Sequence, residues 1–262
     1  MPPLLRRAAP IFGLSALGVL ALAPTLGGIL RFQLEHSARP VPPWVRSLPI
    51  GALVALSLIQ PMVLAGGASV LGAWLAPKLG LRSHLAQRAG RFLPELPLAL
   101  VLGAASGAAL FALDLVIWKP IVGEALATMA KGAPRASLAL TVSGLFYGGC
   151  TEEVMMRWGL MSALAAGLRR LSRSGGNWVM WASILVVAVL FGLGHLPATR
   201  ALVPLTGALV IRAIVLNGLV GIACGWLFWK RSLESAMAAH AAADTFIAIA
   251  STLAAAVGAL HS

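Results

Sequence analysis

The chain has 262 residues, 59% of them hydrophobic and 11% charged, with a mean hydropathy of +0.90. That composition excludes a globular domain with a solvated surface and describes an integral membrane protein. The formal charge of +12 does not point to nucleic acid, because the basic residues fall in short loops between apolar runs, where they meet anionic headgroups.

The first apolar run, 11–30, follows Arg6 and Arg7 as a secretory leader would. It is long for a leader and has no convincing small-residue cleavage site before Arg31, so it is read as a retained first helix. Further runs long enough to cross a bilayer core, which takes roughly 20 helical residues, occupy 48–76, 97–118, 137–168, 177–196, 203–229 and 233–258. About seven spans result, or eight if one of the three longest runs breaks. The runs are continuous rather than alternating, which favours helices over a barrel. The expected fold is all-α: a polytopic transmembrane helix bundle with its site in a cavity between helices. Residues 1–136 would supply N-terminal helices and loops with about three spans, and 137–262 a core of about four.

With seven spans, Arg6, Arg7, Lys78, Arg82, Arg88, Arg91, Arg169, Arg170, Arg173, Lys230 and Arg231 lie on the N-terminal side. Arg31, Arg39, Arg46, Lys119, Lys131, Arg135, Arg200 and Arg212 lie on the other, a bias that favours a cytoplasmic N-terminus. The second and third loops interleave charges with leucines and suit short interfacial helices. The segments Gly103–Gly107, Gly144–Gly148 and Gly221–Gly225 are small-xxx-small patterns that let helix backbones approach closely. Cys150 and Cys224 both fall in apolar runs and are read as inert buried thiols. Cys150 is a poor nucleophile in such a setting, because an apolar environment disfavours the thiolate.

Ionisable groups at membrane depth cost roughly 2.5–3.5 kcal/mol each and by default mark a pathway or a site. Here they are Asp114, Glu152, Glu153, Arg157, His195, His240 and Asp244. In "EEVMMR", Glu153 and Arg157 stand at i and i+4 and can pair across one helical turn. Glu152 is rotated by about 100° and has no local partner, which leaves it available as a general base. In "FGLGH", Phe191 and His195 share a helix face, as do His240 and Asp244 in "HAAAD". Taken singly, Glu153 with Arg157 is equally a structural ion pair, a membrane histidine is a packing residue, and His240 with Asp244 is one local hydrogen bond. Their joint occurrence in three spans favours a set that binds and activates water. Asp114 is read as interfacial or as a helix-end partner of Lys119, Glu124 as a loop residue, and His36, His84 and His261 as solvated. Trp226 and Trp229 beside Lys230 suit an aromatic belt.

The three motifs, E-E-x-x-x-R, F-x-x-x-H and H-x-x-x-D, resemble in order and spacing those of the CPBP family. That family groups CAAX prenyl endoproteases of the Ras-converting type with bacteriocin-processing and immunity (ABI-like) proteins. The resemblance covers roughly Ser143 to Ile249. It implies an intramembrane endopeptidase in which Glu152 activates the attacking water with His195 close by. His240 and Asp244 would complete the site, the Asx position being associated with the oxyanion, and Glu153, Arg157 and Phe191 would support it. One departure is Asp244, where the eukaryotic prenyl proteases have Asn: an ionised aspartate cannot donate a hydrogen bond to an oxyanion. The resemblance favours no cofactor; Zn²⁺ stays open, with His195 and His240 as its ligands. The expected partners are a membrane-associated peptide or protein substrate and the lipid bilayer, with no nucleic acid. The expected location is a bacterial inner membrane, where a short peptide, a bacteriocin leader or a sorting tail is a better candidate than a prenylated protein. The rival class is a non-catalytic immunity or scaffold protein, or a proton-coupled carrier. H-E-x-x-H, G-x-S-G and G-x-G-D, the marks of other intramembrane proteases, are absent.

Overall fold

The computed structural model describes residues 2–36, 40–87, 90–132, 138–172 and 176–260, and among them every regular element is helical. Among the described residues six helical segments are long and apolar enough to cross a membrane: Pro3–Leu20, Ile50–Leu79, Leu93–Ala130, Asn177–Leu202, Gly207–Lys230 and Leu233–Ala256. The protein is an integral membrane helix bundle. The run expected at 137–168 is also one unbroken helical stretch, 138–172. It carries Glu152, Glu153 and Arg157.

The first expected span is displaced. Helix α1 (Pro3–Leu20) ends ten residues earlier than the apolar run, and after a turn α2 (Ala23–His36) continues from it. Pro24 lacks the N–H that would carry the helix on. The Ala21 carbonyl, passed over by the Thr25 N–H for Leu22 at 3.0 Å, accepts the Ser143 hydroxyl at 2.6 Å. A single turn, α3 (Pro43–Arg46), leads into α4 (Ile50–Leu75). Among the described residues the second loop holds the 3₁₀ turns Ala76–Leu79 and Leu93–Glu95 and the one-turn α5 (His84–Gln87) before α6 (Leu96–Leu113). The third loop is largely taken up by α7 (Lys119–Gly132), which extends α6 through a π-helical turn, Asp114–Trp118. Helix α8 (Leu138–Ser143) passes into two π segments, Gly144–Glu152 and Val154–Met161, and ends as α9 (Ser162–Ser172). There follow α10 (Asn177–Gly194), the short α11 (Leu196–Leu202), α12 (Gly207–Lys230) and α13 (Leu233–Leu260). The Thr206 hydroxyl caps α12 by accepting the Leu209 N–H at 3.3 Å.

Small residues set the helix spacing. Gly103 and Gly107 of α6 lie directly against the Ala239 and Ala243 backbone of α13, and a Cβ at Gly107 would come within 2.8 Å of the Ala243 carbonyl oxygen. Gly221 and Gly225 of α12 sit against Ala188 and Ile184 of α10. The third pattern behaves differently: Gly144 has open space beside it, while Gly148 faces polar side chains of α13. The apolar core joins both halves of the chain, with Ile11 and Ala73 in the same cluster as Trp158, Phe228 and Leu233. Trp158 is fully buried and donates its indole N–H to the Ser69 carbonyl at 3.2 Å.

Several polar residues take partners that spacing did not indicate. Asp114 receives a two-pronged contact from Arg212 of α12, at 2.6 and 2.7 Å, rather than from Lys119. Sequence distance hides this partner, which stands 98 residues away. His84 is not a solvated loop residue. Its Nε2 lies 3.3 Å from Glu95, which also accepts the Ser232 and Ser235 hydroxyls at 2.5 Å each, so the second loop is fastened to the start of α13. Trp229 stands edge-on to Trp181 with the Lys230 ammonium 3.5 Å from its ring, as a belt residue would. His261, the side chain of His36, and Arg39, Arg88, Arg135 and Arg173 lie outside the described residues.

Gly103→Val drives a branched side chain into the Ala239 carbonyl. We expect it to cost at least about 1–3 kcal/mol and to lower the thermal unfolding midpoint in detergent, read by circular dichroism. Gly13→Ala, with open space at its site, leaves the midpoint unchanged.

Candidate active site

The segment carrying Glu152, Glu153 and Arg157 is wound as π-helix on both sides of Glu153. A π-helix closes i→i+5 hydrogen bonds, is rare, and is frequent at functional sites. At about 80° per residue rather than about 100°, adjacent carboxylates still diverge, and residues four apart still share a face. Glu153 and Arg157 therefore meet as the spacing predicts, with Arg157 Nη1 3.1 Å from Glu153 Oε1. Both are buried, at 0% and 1% exposure.

Arg157 is held from several sides. Its Nη2 donates to the Gly221 carbonyl of α12 at 3.1 Å, and its guanidinium carbon lies 5.1 Å from the Phe191 ring centroid of α10. Glu153 Oε1 in turn accepts the Nδ1–H of His240 from α13 at 2.7 Å. One arginine thus links the π-helical segment, α10 and α12 directly, and α13 through Glu153.

The two histidines are fixed in complementary ways. A carboxylate and a carbonyl can only accept, so His240 carries its proton on Nδ1 toward Glu153, and His195 carries one on Nδ1 toward the Phe191 carbonyl at 2.8 Å. Both Nε2 atoms are left for chemistry. His240 Nε2 lies 3.8 Å from Glu152 Oε2 and 3.8 Å from Asp244 Oδ2. Phe191 stands edge-on to both imidazoles, 4.8 Å from His195 and 5.7 Å from His240 between ring centroids, and so spaces them. Among the described residues it is His240, not His195, that comes within 4 Å of Glu152. Glu152 makes no hydrogen bond and keeps 17% of its side chain exposed; Asp244 keeps 33%. The seven residues singled out by sequence, Glu152, Glu153, Arg157, Phe191, His195, His240 and Asp244, are therefore gathered around one cleft.

Two further positions shape it. A Cβ at Gly148 would lie 2.7 Å from Asp244 Oδ2 and 3.4 Å from His240 Nε2, so glycine is what lets these two side chains lie against the helix backbone there. Gly221 supplies the carbonyl for Arg157. Both were visible in sequence only as packing glycines. Cys224 is buried, donates to the Ala236 carbonyl at 3.5 Å, and brings its sulfur within 4.8 Å of a Glu153 oxygen and a His240 nitrogen. Glu153, Cys224 and His240 form the one set of three donors this close among the described residues, and it fits zinc poorly. Glu153 Oε1 already serves Arg157 and His240, the His240 Nδ1 proton would have to leave, and the guanidinium would stand beside the ion.

Residues 134–246 match the family model described as type II CAAX prenyl endopeptidase, Rce1-like. The matched stretch contains all three motifs and every residue of the cleft named above, and it supports an intramembrane endopeptidase. No curated protein and no solved structure matches the chain.

Replacing Arg157 by Leu leaves the Glu153 charge buried without its counter-ion. We expect a loss of about 3–5 kcal/mol, measured as the denaturant midpoint in detergent. Arg157→Lys recovers only part of this, since one ammonium cannot reproduce the fork that serves Glu153 and Gly221 together.

Proposed function

We propose that the protein is an intramembrane endopeptidase that hydrolyses a peptide bond with a water activated by Glu152, without a bound metal. The observation that carries this is the unequal treatment of two adjacent carboxylates. Glu153 is fully buried and engaged by Arg157 and His240, whereas Glu152 has no hydrogen-bond partner and faces the cleft.

In the proposed reaction the His195 Nε2 lone pair and Glu152 hold the water between them. Glu152 takes its proton as the oxygen attacks the scissile carbonyl. The carbon–nitrogen bond of the tetrahedral intermediate breaks as that proton passes from Glu152 to the leaving amine. The oxyanion develops on the side of His240 and Asp244, where Phe191 and Glu153 keep the His240 ring from turning. Asp244, when ionised, cannot donate, and at 3.8 Å it faces His240 Nε2 without a hydrogen bond. The setting that best fits the chain is a bacterial inner membrane, and the best substrate a short peptide or sorting tail close to the bilayer.

A proton-coupled carrier is the second reading. It is favoured by the unbroken line of titratable groups from Glu153 through His240 to Asp244. The two are separated by comparing new protein and peptide termini, by mass spectrometry, in membranes from cells expressing wild type or Glu152→Gln. We expect termini present only with wild type, and a rate lower by roughly 10²–10⁴-fold for the variant in detergent with no gradient. Identical terminus lists for two equally well-inserted proteins would favour the carrier or a non-catalytic role.

A further inference from the structure

The cleft is rich in acceptors and poor in donors. His195 spends its Nδ1 proton on the Phe191 carbonyl and His240 spends its own on Glu153. Any proton on His240 Nε2 faces Glu152 and Asp244, each 3.8 Å away. The Arg157 guanidinium is committed to Glu153 and to the Gly221 carbonyl. Yet hydrolysis of a peptide bond places negative charge on the carbonyl oxygen, and that charge needs a donor aimed at it.

Tyr147 is the one tyrosine in the chain, and it lies in the first π segment, five residues before Glu152. In an α-helix those two residues would diverge by about 140°, but π winding brings them to within about 50°. The neighbouring Gly148 fixes which way this part of the helix faces, since its missing Cβ would touch Asp244 and His240. Tyr147 is partly buried, and its hydroxyl makes no hydrogen bond among the described residues. It is close enough to Glu152 for the two groups to interact electrostatically.

We propose that the Tyr147 hydroxyl is the hydrogen-bond donor to the oxyanion of the tetrahedral intermediate, standing beside Glu152. The inference rests on the proteolytic reading above. The phenol keeps its proton throughout: it donates a hydrogen bond that strengthens as the carbonyl oxygen becomes anionic, and it relaxes when the amine leaves. It supplies what Asp244 cannot while ionised.

Tyr147→Phe removes only the hydroxyl and keeps the ring that packs in the helix. The probe is the peptide whose wild-type-only terminus the mass spectrometry identifies, resynthesised with a fluorophore and quencher across the cut bond. Wild type, Tyr147→Phe and Glu152→Gln are compared in detergent for kcat, KM and melting temperature. The expected result is a kcat lower by roughly 10²–10³-fold for Tyr147→Phe, as for loss of one oxyanion donor, with KM and melting temperature unchanged. A phosphinate analogue of the same peptide, whose anionic tetrahedral phosphorus mimics the intermediate, should lose affinity by a similar factor. A kcat within about threefold of wild type, or a loss that tracks a lowered melting temperature without weaker phosphinate binding, overturns the assignment while leaving proteolysis intact. Equal cleavage by wild type and Glu152→Gln would instead overturn the proteolytic reading and this one with it.

Discussion

The buried contact between Arg157 and Glu153 is the constraint on which the rest of the catalytic half depends. Two charges removed from water lose several kcal/mol of hydration each, and Coulomb attraction offsets that loss only if the remaining hydrogen-bonding capacity is also met. Other helices meet part of it, the Gly221 carbonyl of α12 for Arg157 and the His240 Nδ1–H of α13 for Glu153, while Arg157 Nη1 and Glu153 Oε2 are buried without a hydrogen bond. The ion pair is thus a small source of stability and a strong source of register. Sliding α12 or α13 by one turn would strand a charge, so α12 and the helix that presents His240 and Asp244 are held in one alignment with the segment carrying Glu152.

Close approach is the second condition, and it is achieved by omission of side chains. Gly103 and Gly107 let α6 lie on the α13 backbone, and Gly221 and Gly225 let α10 lie on α12. In a bilayer, lipid is as apolar as leucine, so packing contacts of this kind, rather than expulsion of apolar surface from water, decide which helices associate. The same economy operates at the site, where Gly148 lets the Asp244 carboxylate approach the helix backbone more closely than any larger residue would. The π winding of this helix fits the pattern, since a wider turn exposes backbone and re-aims side chains where chemistry is required.

Much of the site was legible in sequence because its motifs are local. Four-residue spacings survive the change from α to π winding, so the pairing of Glu153 with Arg157 and the shared face of His240 and Asp244 could be drawn from spacing alone. The helical class was legible because each span is long and uniformly apolar. The unread features all depend on another helix or on backbone detail. Arg212 as the partner of Asp114, Glu95 as the anchor of His84, and the carbonyl of Gly221 come from distant parts of the chain. The early end of α1 turns on Pro24, whose effect was masked by the apolar residues around it. Nor could spacing say which histidine stands nearer Glu152, because that depends on how far α10 and α13 tilt toward the π-helical segment.

The different fates of Glu152 and Glu153 follow from one imidazole with two nitrogens. His240 directs Nδ1 at Glu153, at 2.7 Å, and Nε2 toward Glu152, at 3.8 Å. The first contact is a charge-assisted hydrogen bond; the second is too long for one. Arg157 reinforces the shorter contact, so Glu153 is fixed as the structural carboxylate and Glu152 keeps its lone pairs unspent. Adjacent residues on a helix cannot face the same way, and a pair of glutamates with one arginine four residues on is enough to break the symmetry between them. The second carboxylate, with 17% of its side chain exposed, is left accessible.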